Sequence, residues 1–271
     1  MLKVNQASIQ RIGMHHKVYL CYNMGDEVIL MNYEKRRNVF FYLLLLMLLI
    51  TIALTIIIWI QSWDFSTKLL VYFLIIIVIA IGSLLLKSYM LFYTRQMHIE
   101  KMIETVVPYT SCAYDVFDSD FFIRLQRKGF EIGKNAQQVQ VMYRYEKDND
   151  NRFYRYGALE IILLLKDSSI GPTDQRLIKF VNEVEDLHVK QKKYIQKYYI
   201  YTFKQTPHME QSLMSELTQI QFEREQKRQI TSIHVYQDKS SQLLYFLHSK
   251  TYQPNAYYQF ATERIYELID R

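Results

Sequence analysis

Two uninterrupted apolar runs constrain this chain more than any other feature. Val39 to Ile60 carries no charge over 22 residues, and Leu69 to Leu86 carries none over 18, continuing past Lys87 to Tyr93. A hydrocarbon core about 30 Å thick needs about 20 helical residues at 1.5 Å each. Both runs are long enough, and neither shows the polar face that a buried helix of a globular protein keeps. They are expected to be transmembrane helices forming a short hairpin. The first run starts late, lacks a small-residue cleavage pattern and is followed at once by the second, which argues against a secretory signal.

Orientation is read from the basic flanks, because Lys and Arg are retained on the cytoplasmic side. Lys35, Arg36 and Arg37 precede the first run; Lys87, Arg95 and Lys101 follow the second; the connection from Gln61 to Lys68 offers only Asp64 against Lys68. Both termini are therefore expected in the cytoplasm of a two-span protein of the cell membrane. The two tryptophans, Trp59 and Trp63, fall at the outer turn, where amphipathic indoles favour the headgroup level.

The net charge of +6 would suggest nucleic acid if it were spread evenly. Up to His98 there are nine Lys and Arg against four Asp and Glu, leaving 24 against 23 beyond it, so the excess flanks the membrane. Anionic lipid attracts such juxtamembrane bases, and membrane lipid is the first expected partner. One basic and aromatic run lies further on: Lys190, Lys192, Lys193, Tyr194 and Lys197. That text fits a nucleic-acid surface, but a solvated helix end leading into a strand produces it too.

The expected organisation has four parts. Residues 1–37 hold a β-hairpin, Lys17 to Tyr22 and Glu27 to Tyr33 around a turn at Asn23 to Asp26. Residues 38–94 hold the spans, about 39–60 and 69–93. Residues 95–108 form a stalk helix ended by Pro108. Residues 109–271 alternate helix and strand patterns: helices at 118–128, 173–188, 209–228 and 256–269, and strands at 139–145, 153–165, 198–203, 232–237 and 242–248. The fold class is thus a transmembrane helical hairpin plus a cytoplasmic α/β (α+β) mixed-sheet domain. Ile161 to Leu165, apolar on both faces, should be a central strand.

The chemistry-bearing residues form no recognisable reaction centre. Cys21 and Cys112 are not in a CxxC pattern, and His15, His16, His188, His208, His234 and His248 lack metal-ligand spacing, apart from a possible facing of His234 and His248 across the last hairpin. There is no phosphate-cradling glycine loop, no HExxH and no GxSxG. No cofactor and no metal are expected. The element order over Phe121 to Phe203 resembles restriction-endonuclease-like and resolvase-like nucleases at fold level. That resemblance implies metal-binding acids and a lysine two residues after the glutamate, but Glu160 is followed by Ile161 and Ile162, with Lys166 six on, and Asp148 and Asp150 fall in an expected turn.

The chain is therefore read as a non-enzymatic, membrane-anchored interaction module: an adaptor, a regulator or a component of a membrane assembly, with other proteins or itself as partner. Strand-rich tyrosines among the 23 suit protein interfaces. Two alternatives stand beside it. One is a tethered nuclease-like or nucleic-acid-binding domain; the other is a membrane-active hairpin that oligomerises, which the lack of ionisable residues inside the spans disfavours.

Overall fold

The computed structural model describes residues 33–103, 109–111, 115–135, 138–147, 156–166, 169–172, 174–222, 224–225, 228–249 and 251–269. The expected N-terminal hairpin, the end of the stalk, Cys21, Cys112, Asp148 and Asp150 lie outside the described residues. The chain divides into two units, Met1–Lys101 and Met102–Arg271.

The first unit is built on two helices, α1 (Tyr33–Ile60) and α2 (Phe65–Ile103), long and apolar enough to cross a membrane. Their turn is four residues long. Asp64 closes it by capping α2: the Thr67 N–H and hydroxyl donate to its two carboxylate oxygens at 3.1 and 2.6 Å. At the far end the ring of Phe40 lies between Tyr89 and Tyr93, with centroids 5.4 and 5.3 Å apart and nearly parallel planes. Tyr33 reaches Tyr93 as well. Arg37 reaches Met97 and Glu34 reaches Lys101 at 3.6 Å, so the first turns of α1 accompany α2 almost to its end at Ile103. The span and the first part of the expected stalk are thus one unbroken helix.

The second unit is an eight-stranded mixed sheet: β1 (Tyr109–Ser111), β2 (Glu131–Asn135), β3 (Val139–Lys147), β4 (Tyr156–Leu165), β5 (Tyr194–Thr206), β6 (Arg224–Glu225), β7 (Arg228–Asp238) and β8 (Leu243–Tyr245). The order is β1-β8-β7-β5-β4-β3-β2, with β6 also on β7. β4, β5 and β7 are parallel neighbours, and the remaining pairings are antiparallel. β4, expected to be central, lies between β3 and β5 with every residue from Leu159 to Leu165 buried.

Four helices cover the sheet: α3 (Ser119–Arg127), α4 (Gln175–Lys190), α5 (Gln211–Leu217) and α6 (Ala256–Ile269). Alternation along the strands assigns each to a face. Val141, Leu159, Ile161, Leu163 and Tyr198 form one core with Leu177 and Val184 of α4. Lys204 and Tyr236 share that face and meet Glu216 of α5. On the opposite face Phe203 meets Phe121 of α3, and Tyr199 meets Phe260 of α6. α3 ends at Gly129, whose φ of +85° is the left-handed conformation such an ending uses. α4 begins at Asp174, which accepts the Arg176 N–H at 2.8 Å.

Two expectations are corrected. The helix expected over 209–228 stops at Leu217, after seven residues. The chain then runs extended, Gln221 exchanges both backbone hydrogen bonds with Ser232, and β6 follows on β7. This segment pairs the stretch of the β7 edge that the short β8 leaves open, and those pairings outweigh the helical spacing of Ile220. Nor do His234 and His248 face each other: His234 bonds the Gln219 carbonyl, and His248 packs between Phe246 and Tyr266.

Candidate functional site

Three places in the second unit gather chemistry-bearing side chains. The first is Glu160, fully buried on the central strand β4. Arg144, opposite it on β3, donates to Oε1 at 2.6 Å, and Arg264 of α6 donates to Oε2 at 3.3 Å. Burial pushes the Glu160 carboxyl above the ordinary range, with the Arg144 guanidinium pulling the other way. The network continues outward, Arg144 to the Lys128 carbonyl and to Glu146, Arg264 to Glu267. Beside it the Tyr201 hydroxyl is buried without a hydrogen-bond partner among the described residues. This is the carboxylate the nuclease resemblance singles out. Both its oxygens are held by guanidinium groups, and the residue two positions on is the buried Ile162. An arginine-paired carboxylate ties β3, β4 and α6 together; it does not present free oxygens to a cation.

The second place lies toward the C-terminal ends of the parallel strands β5 and β7, where α/β sheets often carry their sites. Lys204 and Tyr236 both donate to Glu216 of α5, and the Lys204 ammonium lies 5.3 Å from the Tyr236 ring centre. His234 is fully enclosed; its Nε2 donates to the Gln219 carbonyl at 2.9 Å, which fixes the proton on that nitrogen. Burial lowers its pKa to about 4, so the ring is neutral at neutral pH. Asp238 closes this end. Burial raises its carboxyl, but the Ser240 hydroxyl and the N–H groups of Met209, Ser240 and Ser241 together hold it at about 2. Lys204 is only 4% exposed while the Glu216 side chain is 26% exposed, so the cluster is a polar joint between α5 and the sheet that opens to solvent on its Glu216 side.

The third place is the one the sequence marked, and it is open. α4 ends at Lys190, and the chain reverses through Gln191 and Lys192 into β5. Gln191 N–H bonds the Leu187 carbonyl, Lys192 N–H that of Val189 and Lys193 N–H that of His188, so the turn is a hydrogen-bonded cap. Tyr194 is 65% exposed, and Lys190 and Lys192 are exposed too. Lys193 reaches back over the Tyr145 ring at 4.9 Å, and Lys197 lies 6.0 Å from the Tyr257 ring centre. His188, just inside, is core: it donates to the Val184 carbonyl and packs on Tyr143 and Tyr145.

The residues expected at the membrane interface lie in the first unit. Lys35, Arg36 and Arg37 occupy the first turns of α1 rather than preceding it. Arg36 lies over Tyr93, while Arg37 pairs with Glu34 and donates to the Met97 sulfur. Trp59 and Trp63 are exposed at the α1–α2 turn, Lys87 is exposed on α2, and Arg95 is half-buried there. Sequence reasoning missed Arg144 and Arg264, which approach Glu160 only once the sheet forms. No family model, curated protein or solved structure matches this chain.

Proposed function

We propose that this is a membrane-anchored interaction module, its two long helices crossing the cell membrane as a hairpin with both termini and the α/β domain in the cytoplasm. One observation carries the reading: the helices present apolar side chains outward on all sides. Leu48, Ile76, Val78 and Leu84 are 60%, 62%, 69% and 70% exposed. Water would penalise each such side chain by about 1.5–3 kcal/mol relative to burial, whereas lipid would not. Basic residues at one end of the hairpin and tryptophans at the other support the orientation. The domain acts by contact, as an adaptor, regulator or assembly component, a reading supported by the engagement of both its polar clusters in holding helices to the sheet.

The test uses the full chain with Cys21 and Cys112 replaced by serine. A single cysteine at Ser62 should react with an impermeant thiol reagent added to intact cells, and one at Ser119 should react only after lysis. Labelling of Ser119 alone in intact cells would invert the orientation. Release of the chain by alkaline carbonate would remove the anchor altogether.

A further inference from the structure

We infer that the turn joining α4 to β5 is a docking surface for the anionic lipid of the membrane that anchors the chain. The inference rests on the anchoring proposed above and adds to it a second, reversible contact with the same leaflet.

Lys190, Lys192 and Lys193 cluster at the turn, with no acidic residue between Leu187 and Tyr198, whereas Lys197 stands on the other face of the sheet beside Tyr257 of α6. Interleaved with the turn lysines are side chains of the opposite character: Leu187 is 43% exposed, Val189 53% and Tyr194 65%. Basic heads around protruding apolar and aromatic groups suit a headgroup layer. Lysines meet the anionic charge there, at about a fivefold gain in binding each, and the apolar groups enter the acyl boundary. On its α4 side the patch is bordered by acids: Glu183 and Asp186 line the same surface as Leu187 and Lys190, while Glu185 is taken by Arg228 at 2.7 Å, so the unopposed bases are Lys192 and Lys193 at the turn itself.

Two plainer accounts leave part of this unexplained. A helix C-terminus attracts cations through its dipole, which covers Lys190 but not the lysines beyond the helix or the exposed Val189 and Tyr194. A nucleic-acid surface would use the lysines and Tyr194, but it has no use for the aliphatic pair Leu187 and Val189.

The backbone adds an independent observation. Lys192 has φ of +59°, the left-handed region where a helix ending ordinarily takes glycine or asparagine. A lysine is therefore held where it strains the chain, at an exposed position of the turn. Such strain is characteristic of positions kept for a contact rather than for stability.

The experiment reconstitutes the full chain, with Cys21 and Cys112 as serine and an environment-sensitive dye on Gln191→Cys, into vesicles. One set is pure phosphatidylcholine; the other contains about one-third phosphatidylserine. The expected result is a blue-shifted emission, quenched by spin-labelled lipid, in the anionic vesicles only and abolished by high salt. Adding Lys192→Gly should cut the docked-to-undocked ratio about fivefold while leaving thermal stability equal or higher. Reduced stability with unchanged docking would overturn the role given to Lys192. Identical emission in both vesicle types, or a shift indifferent to salt, would overturn the docking. So would a larger, salt-sensitive response to single-stranded DNA or RNA in pure phosphatidylcholine, which would assign the surface to nucleic acid. Flotation with phosphatidylcholine after alkaline washing reports on the anchor separately: without it both readings fall, and with it the dye alone decides the docking.

Discussion

The two units place charge in opposite ways. In the first, apolar side chains cover the outside, and the ionic contacts gather at the helix ends, Glu34 with Arg37 at 3.8 Å and with Lys101 at 3.6 Å. In the second, Glu160, Lys204 and His234 are inside, and lysines stand on the surface around the α4–β5 turn. The contrast teaches that burial alone does not say what a charge is for. Inside the sheet a charge is kept because an opposite charge meets it, Glu160 with Arg144 and Arg264 and Lys204 with Glu216; on the helices charge is excluded from the middle because no such partner is there.

The strongest attack on this contrast removes the carboxylate from the sheet. Glu160→Ala would leave Arg144 and Arg264, with side chains 17% and 18% exposed, facing each other without their shared anion. A loss of about 3–5 kcal/mol is expected. Chemical denaturation of the full chain in mild detergent, followed by circular dichroism of the domain, measures it. A cost under about 1 kcal/mol would show that the network is peripheral and would restore Glu160 as a residue available for other chemistry.

The converse attack places a charge in the middle of a helix. Ile76 is 62% exposed, so in water Ile76→Arg would change stability by less than about 0.5 kcal/mol. At the centre of a bilayer the same change costs about 2.5–3.5 kcal/mol. The expected result is a marked loss of chain from the membrane fraction after alkaline washing. Unchanged recovery would mean that the exposed face of α2 does not meet lipid.

How far these contrasts could be read beforehand follows from their range along the chain. Apolar runs and alternation are local, so both long helices and the central place of β4 were legible. β2 was not, because Glu131, Gly133, Lys134 and Asn135 give an edge strand no apolar alternation; its identity comes from pairing with β3. α5 was overextended for a related reason: the spacing of Leu213, Leu217 and Ile220 is helical, but an open edge of β7 competes for the chain after Leu217. Of the site residues, the lysines at 190–197 were visible as text. Arg264 lies 104 residues from Glu160, and no local pattern joins them.

The enclosed histidine sharpens the comparison by pH. An unfolded chain protonates histidine near 6.5, whereas burial holds His234 to about 4 in the fold. Between those values the unfolded state binds a proton that the folded state refuses. Stability is therefore full above about pH 6.5 and falls as pH drops to 4, by up to about 3 kcal/mol for this group. His234→Gln should flatten that part of the stability profile, measured by denaturation at a series of pH values. An unchanged slope would assign the acid sensitivity to another group.

The smallest effect is expected where the first unit keeps its own carboxylate. Glu34 is chemically the twin of Glu160, and it too meets two cations, Arg37 and Lys101. Its side chain is 50% exposed, however, against 1% for Glu160, so water competes for the same oxygens and the distances are longer. Exposed pairs of this kind contribute about 0.2–1 kcal/mol and weaken as salt screens them. Glu34→Gln should therefore shift the detergent-denaturation midpoint only slightly, and the shift should vanish at high salt. Glu160→Gln, tested alongside, should keep most of its cost at any ionic strength, because its partners are screened little by ions that cannot approach. If the two substitutions responded alike to salt, the enclosure of Glu160 would not be what sets its strength, and the contrast between the units would lose its physical basis.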